Sequence, residues 1–257
     1  MHGIILKDDS RYDYCEEYLK HQGFTFGGEA VDFAIFPFMA NVDEETYGDD
    51  FFAGLKKNAF IFSGIRSAYL SDKCKKYGLE YHAVITAPCV AIKNAIPTSE
   101  GVIAYLVTNR VKTIANSSVL VVGYGICGQD LSTRLKALGA NVSALVRNKE
   151  KESAAYANSI TPLYINDVFE KPFDVIVNTV PSTIFSNEML DKTKGALMID
   201  IASKPYGFDM EYAKKLNQKS ALLPGIPGKH AVQTAGEIFG EYIAYVMRTC
   251  SHSRRTI

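Results

Sequence analysis

Three glycines in one short stretch have the spacing of a phosphate-binding turn. Gly123, Gly125 and Gly128 follow the apolar run 119–122, and leucines at helical spacing come next. The first glycine of such a turn permits a sharp bend, the second lets a pyrophosphate approach the backbone, and the third lets helix and strand pack closely. Because strand, turn and helix occur in this order, the sequence predicts dinucleotide binding rather than a nucleotide-free glycine turn.

Two further residues of the turn, Ile126 and Cys127, are expected to lie against the cofactor. Cys127 stands where a helix N-terminus could lower the pKa of its thiol, or where a small side chain simply fits. The five cysteines of the chain are scattered without C-x-x-C pairs. That pattern is typical of a reducing compartment and predicts no metal site.

The end of the next strand should select the cofactor. NAD sites usually carry an acidic residue about twenty positions after the turn, whereas NADP sites carry an arginine nearby. Arg147, Asn148 and Lys149 occupy this place, and the first carboxylate comes at Glu150. Arginine can fork onto a 2′-phosphate, so the sequence favours NADP and leaves NAD open. A solvated charged turn is the alternative.

Later strand ends should receive the other half of the cofactor, because ligands of open parallel sheets bind outside the carboxyl ends of the strands. The sequence predicts such strands at 174–178 and 197–201. The residues expected to contact the cofactor there are Asn178, Thr179, Val180, Pro181 and Ser203.

Catalytic candidates lie outside the glycine turn. A helix is predicted to start near Glu100, with Thr98 as its N-cap. Glu100 either orients the substrate or transfers a proton, or it only complements the dipole of this helix. Lys229 and His230 follow a loop shaped by glycine and proline. His230 is equally consistent with a loop residue that has no catalytic role.

The elements that position these groups alternate between strand and helix. They predict an α/β fold, with a Rossmann-type doubly wound parallel sheet domain plus a smaller α/β N-terminal domain. A hinge is expected at 92–101. The predicted boundaries are 1–96 for the substrate-side domain, 97–116 for a linking helix, 117–228 for the dinucleotide-binding domain, and 229–257 for a helix that returns to the first domain or forms a dimer contact.

Composition narrows the class of function. The chain has 257 residues, a formal net charge of +0, 47% hydrophobic and 22% charged residues, which is ordinary for a globular protein of two modest domains. Zero net charge argues against nucleic-acid binding through phosphate neutralisation. The sequence has neither an apolar run of membrane-spanning length nor a signal-peptide pattern, so we expect a cytoplasmic protein.

Several motifs together resemble the dipicolinate synthase A-subunit family of spore-forming bacteria. The resemblance extends from about residue 59 to residue 236. It rests on a serine-glycine motif at 61–64 with 68–70, a proline-threonine-glutamate motif at 94–101, the glycine turn, the stretch 178–182, and a proline-glycine motif at 223–228 with 234–236.

The resemblance implies an oxidoreductase of the sporulating mother cell. It would oxidise a dihydrodipicolinate-type heterocycle to dipicolinate (pyridine-2,6-dicarboxylate) with a pyridine nucleotide, as a homo-oligomer partnered by the flavoprotein-like B-subunit of dipicolinate synthase. Aromatisation drives the hydride loss, so the protein mainly positions the ring and binds two carboxylates. The substrate-binding candidates are Ser63, Gly64, Arg66, Thr98, Ser99 and Gly225, with Lys229 or His230 as further cations.

Two departures from the family pattern leave the substrate contacts open. Ile126 replaces a basic residue of the family, and Gln233 replaces a lysine whose charge it cannot supply. Lys229 is the substitute that the preceding turn offers. Two alternatives therefore stay open: an NADP-binding regulatory or scaffolding protein without an active site, and a reductase similar to shikimate or 2-hydroxyacid dehydrogenases.

Overall fold

The computed structural model of this chain describes residues 1–28, 30–37, 42–109, 112–168 and 172–253, with side chains up to 250. The chain divides into two compact units. Unit 1 comprises Met1–Asn94 and Ala231–Ile257, and unit 2 comprises Ala95–His230.

The described strands form one parallel sheet in each unit. They are β1 (His2–Ile5), β2 (Thr25–Phe26), β3 (Phe33–Ile35), β4 (Phe60–Ser63), β5 (Glu80–Ala83), β6 (Ser118–Val122), β7 (Asn141–Leu145), β8 (Thr161–Leu163), β9 (Val175–Asn178), β10 (Leu197–Asp200) and β11 (Ser220–Leu222). The sheet of unit 1 has the order β2-β1-β3-β4-β5, and that of unit 2 has the order β11-β10-β9-β6-β7-β8. All described neighbours run parallel.

Helices connect the strands, and none of those described is long and apolar enough to cross a membrane. They are α1 (Arg11–His21), α2 (Asp49–Ala53), α3 (Ala68–Tyr77), α4 (Pro88–Asn109), α5 (Ile126–Ala137), α6 (Lys149–Ala157), α7 (Asn187–Lys192), α8 (Met210–Lys215), α9 (Pro227–His230) and α10 (Val232–Ser253). Short 3₁₀ turns lie at Val84–Thr86 and Ile165–Asp167.

The strand order of unit 2 is that of a doubly wound dinucleotide-binding sheet. Read from β8 to β11, and numbered from β6 as the first strand, it is 3-2-1-4-5-6, with the order reversing between β6 and β9. Both faces of the sheet are covered: Val121 packs with Leu131 of α5 on one face, and Leu120 packs with Leu190 of α7 on the other. The predicted Rossmann-type α/β fold, with a second α/β unit, is confirmed.

The terminal helix α10 packs closely against α1 within unit 1. A Cβ atom at Gly236 would overlap the carbonyl oxygen of Arg11, and one at Gly240 would lie 2.8 Å from Cδ1 of Tyr18. Glycines one helical turn apart therefore let the backbones of the two helices approach each other.

One long helix, α4, extends through the predicted hinge at 92–101 and into the predicted helix at 97–116. It starts at Pro88 and continues through Pro97, so the helix begins earlier than expected, and the boundary between the two units, between Asn94 and Ala95, lies within it. Proline is favoured at a first helical position, where its missing N–H is not needed. At Pro97 it removes one backbone hydrogen bond, and buried side chains such as Val102 hold the helix together beyond it.

Candidate functional site

The glycine turn lies at the carboxyl end of β6 and leads directly into α5. Gly123 has a φ of +93°, where glycine is favoured, and a Cβ atom there would lie 2.5 Å from Cγ2 of Val180. A Cβ atom at Gly128 would overlap the carbonyl oxygen of Gly123. The packing of the protein itself thus explains two of the three glycines.

Gly125 has different surroundings. It precedes α5 as the N-cap with φ −81° and ψ −165°, a conformation that any residue adopts. A Cβ atom there would meet no described atom within 4 Å. Neither strain nor crowding requires glycine, whereas a phosphate lying against the free N–H groups of the helix start would. The turn therefore fits the pyrophosphate of a dinucleotide.

Ile126 and Cys127 form the first turn of α5. Ile126 is 42% exposed. Burial, and then the nearby Asp130, raise the pKa of the Cys127 thiol, so the helix N-terminus does not activate it as one alternative expected. Among the residues that the structure describes, no group of three or more His, Cys, Asp or Glu side chains could hold a metal ion.

Arg147 lies just after β7. It is exposed and makes no ion pair with any described residue. Asn148 caps α6 by accepting from the Lys151 N–H at 2.9 Å, and Lys149 pairs with Glu152 at 2.7 Å. Of the two predicted cations, only Arg147 is without an ion pair to a described residue, so its guanidinium is available to a 2′-phosphate.

A buried network holds the carboxyl end of β9. The fully buried Asn178 donates to the Val180 carbonyl oxygen at 2.9 Å and to Asp200 at 3.1 Å, and it accepts from the Val180 N–H at 3.1 Å. The Thr179 hydroxyl donates to the Val122 carbonyl oxygen at 2.8 Å. Contrary to expectation, the Asn178 side chain is enclosed and shapes its loop from within. Thr179 and Val180 are half-buried.

Asp200, which was not among the predicted site residues, ends β10 and is fully buried. Its Oδ1 accepts from the Ala202 N–H at 2.9 Å and its Oδ2 from the Gly207 N–H at 2.6 Å. A single carboxylate at the end of an apolar strand was the available signal. Ser203, in the loop so anchored, is exposed, as is Pro181 in the loop after β9.

The candidates of unit 1 lie in the turn after β4. Ser63 is buried, donates to the Ile65 carbonyl oxygen at 2.7 Å and bonds the Tyr81 hydroxyl at 2.7 Å. Gly64 is also buried, whereas Arg66 is exposed and forms no ion pair within the described ranges. Arg66 is thus the candidate here whose functional group is available to a ligand.

The candidates on α4 are not at a helix start. Thr98 lies inside the helix, so its predicted capping role was wrong, and Ser99 is 1% exposed. Glu100 sits in the middle of α4, where it cannot complement the dipole of the first turn. Its exposed carboxylate lies 3.6 Å from Nη1 of Arg134 in α5.

The remaining candidates of unit 2 follow β11. Gly225 has a φ of +67° and open space around it. Lys229 and His230 are exposed at the end of the short helix α9. A Cβ atom at Gly101 of α4 would overlap Ile226 and lie 3.2 Å from Cδ2 of His230. Helix α4 therefore packs directly against this loop.

Comparison with known proteins first defines a class. Residues 100–202 match the family described as "D-isomer specific 2-hydroxyacid dehydrogenase, NAD binding domain". The apo-structure of D-lactate dehydrogenase from Escherichia coli shares the fold, with a TM-score of 0.70, 13% identity, and coverage of 97% of this chain and 98% of that chain. The chain therefore carries a nicotinamide-binding domain of dehydrogenase type, which supports an oxidoreductase role.

The particular relationship lies within this class. The A-subunit of dipicolinate synthase from Bacillus subtilis (strain 168) is 34% identical over 190 residues, which is 73% of this chain and 64% of that protein's length. Crystal structures of the dipicolinate synthase A-subunits of Bacillus subtilis and Bacillus halodurans match with TM-scores of 0.89 and 0.83, each at 25% identity, covering 98% and 95% of this chain and 97% of each of theirs. The chain is a relative of the dipicolinate synthase A-subunits, and the resemblance predicted from its motifs is confirmed.

Proposed function

We propose that this chain is an NAD(P)-dependent oxidoreductase subunit that forms dipicolinate from a dihydrodipicolinate-type precursor. The observation that carries the proposal is Gly125, where the protein has no internal need for glycine, at the point where the strand order reverses. The relationship to the dipicolinate synthase A-subunits supplies the substrate class.

The chemistry requires positioning more than acid–base groups. A bound nicotinamide would supply a hydride acceptor, so that dihydrodipicolinate and NADP⁺ give dipicolinate, NADPH and one proton. Because the product ring is aromatic, the ring itself favours hydride loss. What the chain must add is orientation of the ring and binding of two carboxylates.

The geometry of unit 2 supports the proposed cofactor contacts. The N–H groups at Gly125, Ile126 and Cys127 would hold the pyrophosphate, and Arg147 would bind the 2′-phosphate of NADP. The loops after β9 and β10, with Thr179 and Ser203, would line the nicotinamide half. NADP is the preferred cofactor in this proposal because no carboxylate takes the place of Arg147.

Each unit has one exposed cation that is a separate candidate for binding a carboxylate. Arg66 follows β4 in unit 1 and Lys229 follows β11 in unit 2, and neither forms an ion pair in the part of the chain described. His230 is the proposed proton acceptor. Glu100 is the weaker catalytic candidate because Arg134 lies within 3.6 Å of it.

The proposal includes a partner and a setting. The relative is named as one subunit of a synthase, so we expect a partner, the flavoprotein-like B-subunit of dipicolinate synthase, in the mother cell of a sporulating bacterium. A homo-oligomer of this chain is also expected.

A reconstituted assay tests the proposal. The purified chain, with and without the partner protein, would be given the dihydrodipicolinate precursor and NADP⁺, and both NADPH and dipicolinate would be measured. Arg66→Ala should lower kcat/KM by tenfold or more, the scale of a lost charge-assisted contact. Lys57→Ala is the matched control. Lys57 is also an exposed cation, but it precedes β4 and so lies near the amino-terminal end of that strand, whereas Arg66 follows its carboxyl end.

One observation favours the scaffolding alternative. Gln233 carries no charge and donates to Glu237 at 2.9 Å, so the family's lysine has no replacement at that position. Nucleotide binding without turnover, even with the partner present, would favour a regulatory protein over the enzyme.

A further inference from the structure

Two charged side chains are buried in the described part of the chain, and their partners differ. Lys73 in unit 1 forms ion pairs with Asp49 and, at 2.6 Å, with Glu44. Asp200 in unit 2 is fully buried, and no described Lys, Arg or His forms an ion pair with it. A buried charge without a counter-charge is costly, so its position calls for an explanation.

Three N–H groups hold the Asp200 carboxylate. The Ala202 and Gly207 backbones donate to it, and so does the side chain of Asn178. All three neighbours are donors, so the carboxyl group acts only as an acceptor, as an ionised carboxylate does. These hydrogen bonds stabilise the negative charge but do not cancel it.

The sheet register places this charge near the glycine turn. Asp200 pairs with Asn178 of β9, and Asn178 pairs with Val122 of β6, the residue before Gly123. Two strand spacings are about 10 Å. A doubly wound sheet binds one mononucleotide with each half. Since Arg147 marks the half for the adenosine side, Asp200 belongs to the half for the nicotinamide side.

We propose that Asp200 makes the site prefer the oxidised over the reduced cofactor, an inference that rests on the proposed function. The oxidised nicotinamide ring carries a positive charge that the reduced ring lacks, and the rest of the molecule is the same. A carboxylate without a counter-ion therefore stabilises the oxidised form selectively. This preference suits an enzyme that takes up oxidised nucleotide and must release the reduced one.

Binding of the two redox forms tests the proposal directly. Wild type and Asp200→Asn would be titrated calorimetrically with NADP⁺ and NADPH, and with NAD⁺ and NADH. Wild type should bind the oxidised form several-fold more tightly. Asp200→Asn should shift the ratio of the two Kd values toward the reduced form by on the order of tenfold, the scale of a unit charge acting over about 10 Å at an effective dielectric constant near 20.

Gly207→Ala separates the charge from the shape of the loop. A Cβ atom at Gly207 would overlap the Asn178 side chain, so this variant disturbs the same network and keeps the Asp200 charge. It should weaken both redox forms equally. Two results would overturn the proposal. One is an unchanged ratio of the two Kd values in Asp200→Asn, and the other is a change of that ratio in Gly207→Ala as large as the change in Asp200→Asn.

The ratio of the Kd values for oxidised and reduced nucleotide in wild type tests the proposal even if Asp200→Asn does not fold. Reduced nucleotide bound as tightly as oxidised nucleotide would overturn the inference and leave the proposed function standing. Binding of neither nucleotide to wild type would overturn both, so the two failures can be told apart.

Discussion

Within one motif, Gly123, Gly125 and Gly128 are glycines for different physical reasons. Positive φ accounts for Gly123 and a close backbone contact for Gly128, whereas neither accounts for Gly125, which we propose lies against the phosphates of the cofactor. Their spacing predicted all three roles, because that spacing encodes a turn geometry. Substitutions at these positions should therefore separate binding from folding.

Gly125→Asp should abolish nucleotide binding and leave the fold intact. Aspartate is a favoured N-cap, but its carboxylate would occupy and repel the place of the phosphates. Calorimetric titration with NADP measures binding, and urea unfolding measures stability. Gly128→Ala is the contrasting variant and should lower stability by about 1–3 kcal/mol, because its methyl group meets the Gly123 carbonyl. Normal binding by Gly125→Asp would rule out this phosphate site.

Arg147→Ala should weaken NADP binding by about 1–3 kcal/mol, the scale of a lost hydrogen bond to a charged group, with little effect on NAD. Lys149→Ala is the matched control, because Lys149 is exposed and already paired with Glu152. Titration of both variants with both nucleotides checks the difference. Equal losses for the two variants, or for the two nucleotides, would contradict the assignment of Arg147.

The sequence could not predict which polar groups the protein uses internally. Ser63 and Asn178 were reasonable ligand candidates by position, yet the side chains of both form hydrogen bonds within their own units. Asp200 was overlooked because a single carboxylate has no spacing pattern. Hydrogen-bond partners come from distant strands, and spacing along the chain does not reveal them.

At the scale of elements, prediction succeeded where local signals were unambiguous. The predicted strands at 119–122, 174–178 and 197–201 are apolar runs, and they coincide with β6, β9 and β10 to within about one residue at each end. Helix α4 was misplaced because Pro97 was taken as a boundary, whereas Pro88 is the proline that begins the helix. Burial of apolar side chains beyond Pro97, such as Val102 and Leu106, is a tertiary effect that outweighs the local penalty of the proline.

The packing of α10 on α1 should depend on its glycines. Gly236→Val should lower the free energy of unfolding by about 3 kcal/mol, although valine is the better helix former, because no space separates this position from the Arg11 backbone. Thr234→Val places the same side chain at an exposed position of the same helix and should change little. Urea unfolding of both variants would measure this, and similar stabilities would refute the close contact.

The pairing of α2 with α3 should make unit 1 sensitive to acid. Hydrogen bonds from Lys73 and then Lys76 hold the pKa of Asp49 well below its usual range. A lowered folded-state pKa gives stability that is present above the unfolded value near 4 and is lost as the pH falls further. Because Asp49 is 44% exposed, solvent screens the pair and the effect is modest.

Asp49→Asn should therefore flatten the acid side of the stability profile, measured as urea midpoints between about pH 6 and about pH 3. Asp72→Asn is the control, because Asp72 is 78% exposed and lies 3.7 Å from Lys75. A profile as steep as that of wild type in Asp49→Asn would show that the Lys73 pairing does not contribute to stability.

For the whole molecule, nucleotide should stabilise unit 2 selectively. A free NADP concentration one hundred times the Kd stabilises the binding unit by about 2.7 kcal/mol. Hydrogen exchange, followed by mass spectrometry, should slow within Ala95–His230, most strongly around the glycine turn. Protection confined to unit 1 would contradict the assignment of the cofactor to unit 2.

The chain order of the two units has a consequence for biosynthesis. Unit 2 is one continuous segment inserted into unit 1, so all its strands leave the ribosome before α10 does. The apolar side of α1, with Tyr12 and Leu19, meets its partner helix only afterwards; the bond from Arg248 to Gln22 joins residues 226 positions apart. The nascent chain would thus complete unit 2 first and carry an unfinished, aggregation-prone unit 1 until α10 emerges.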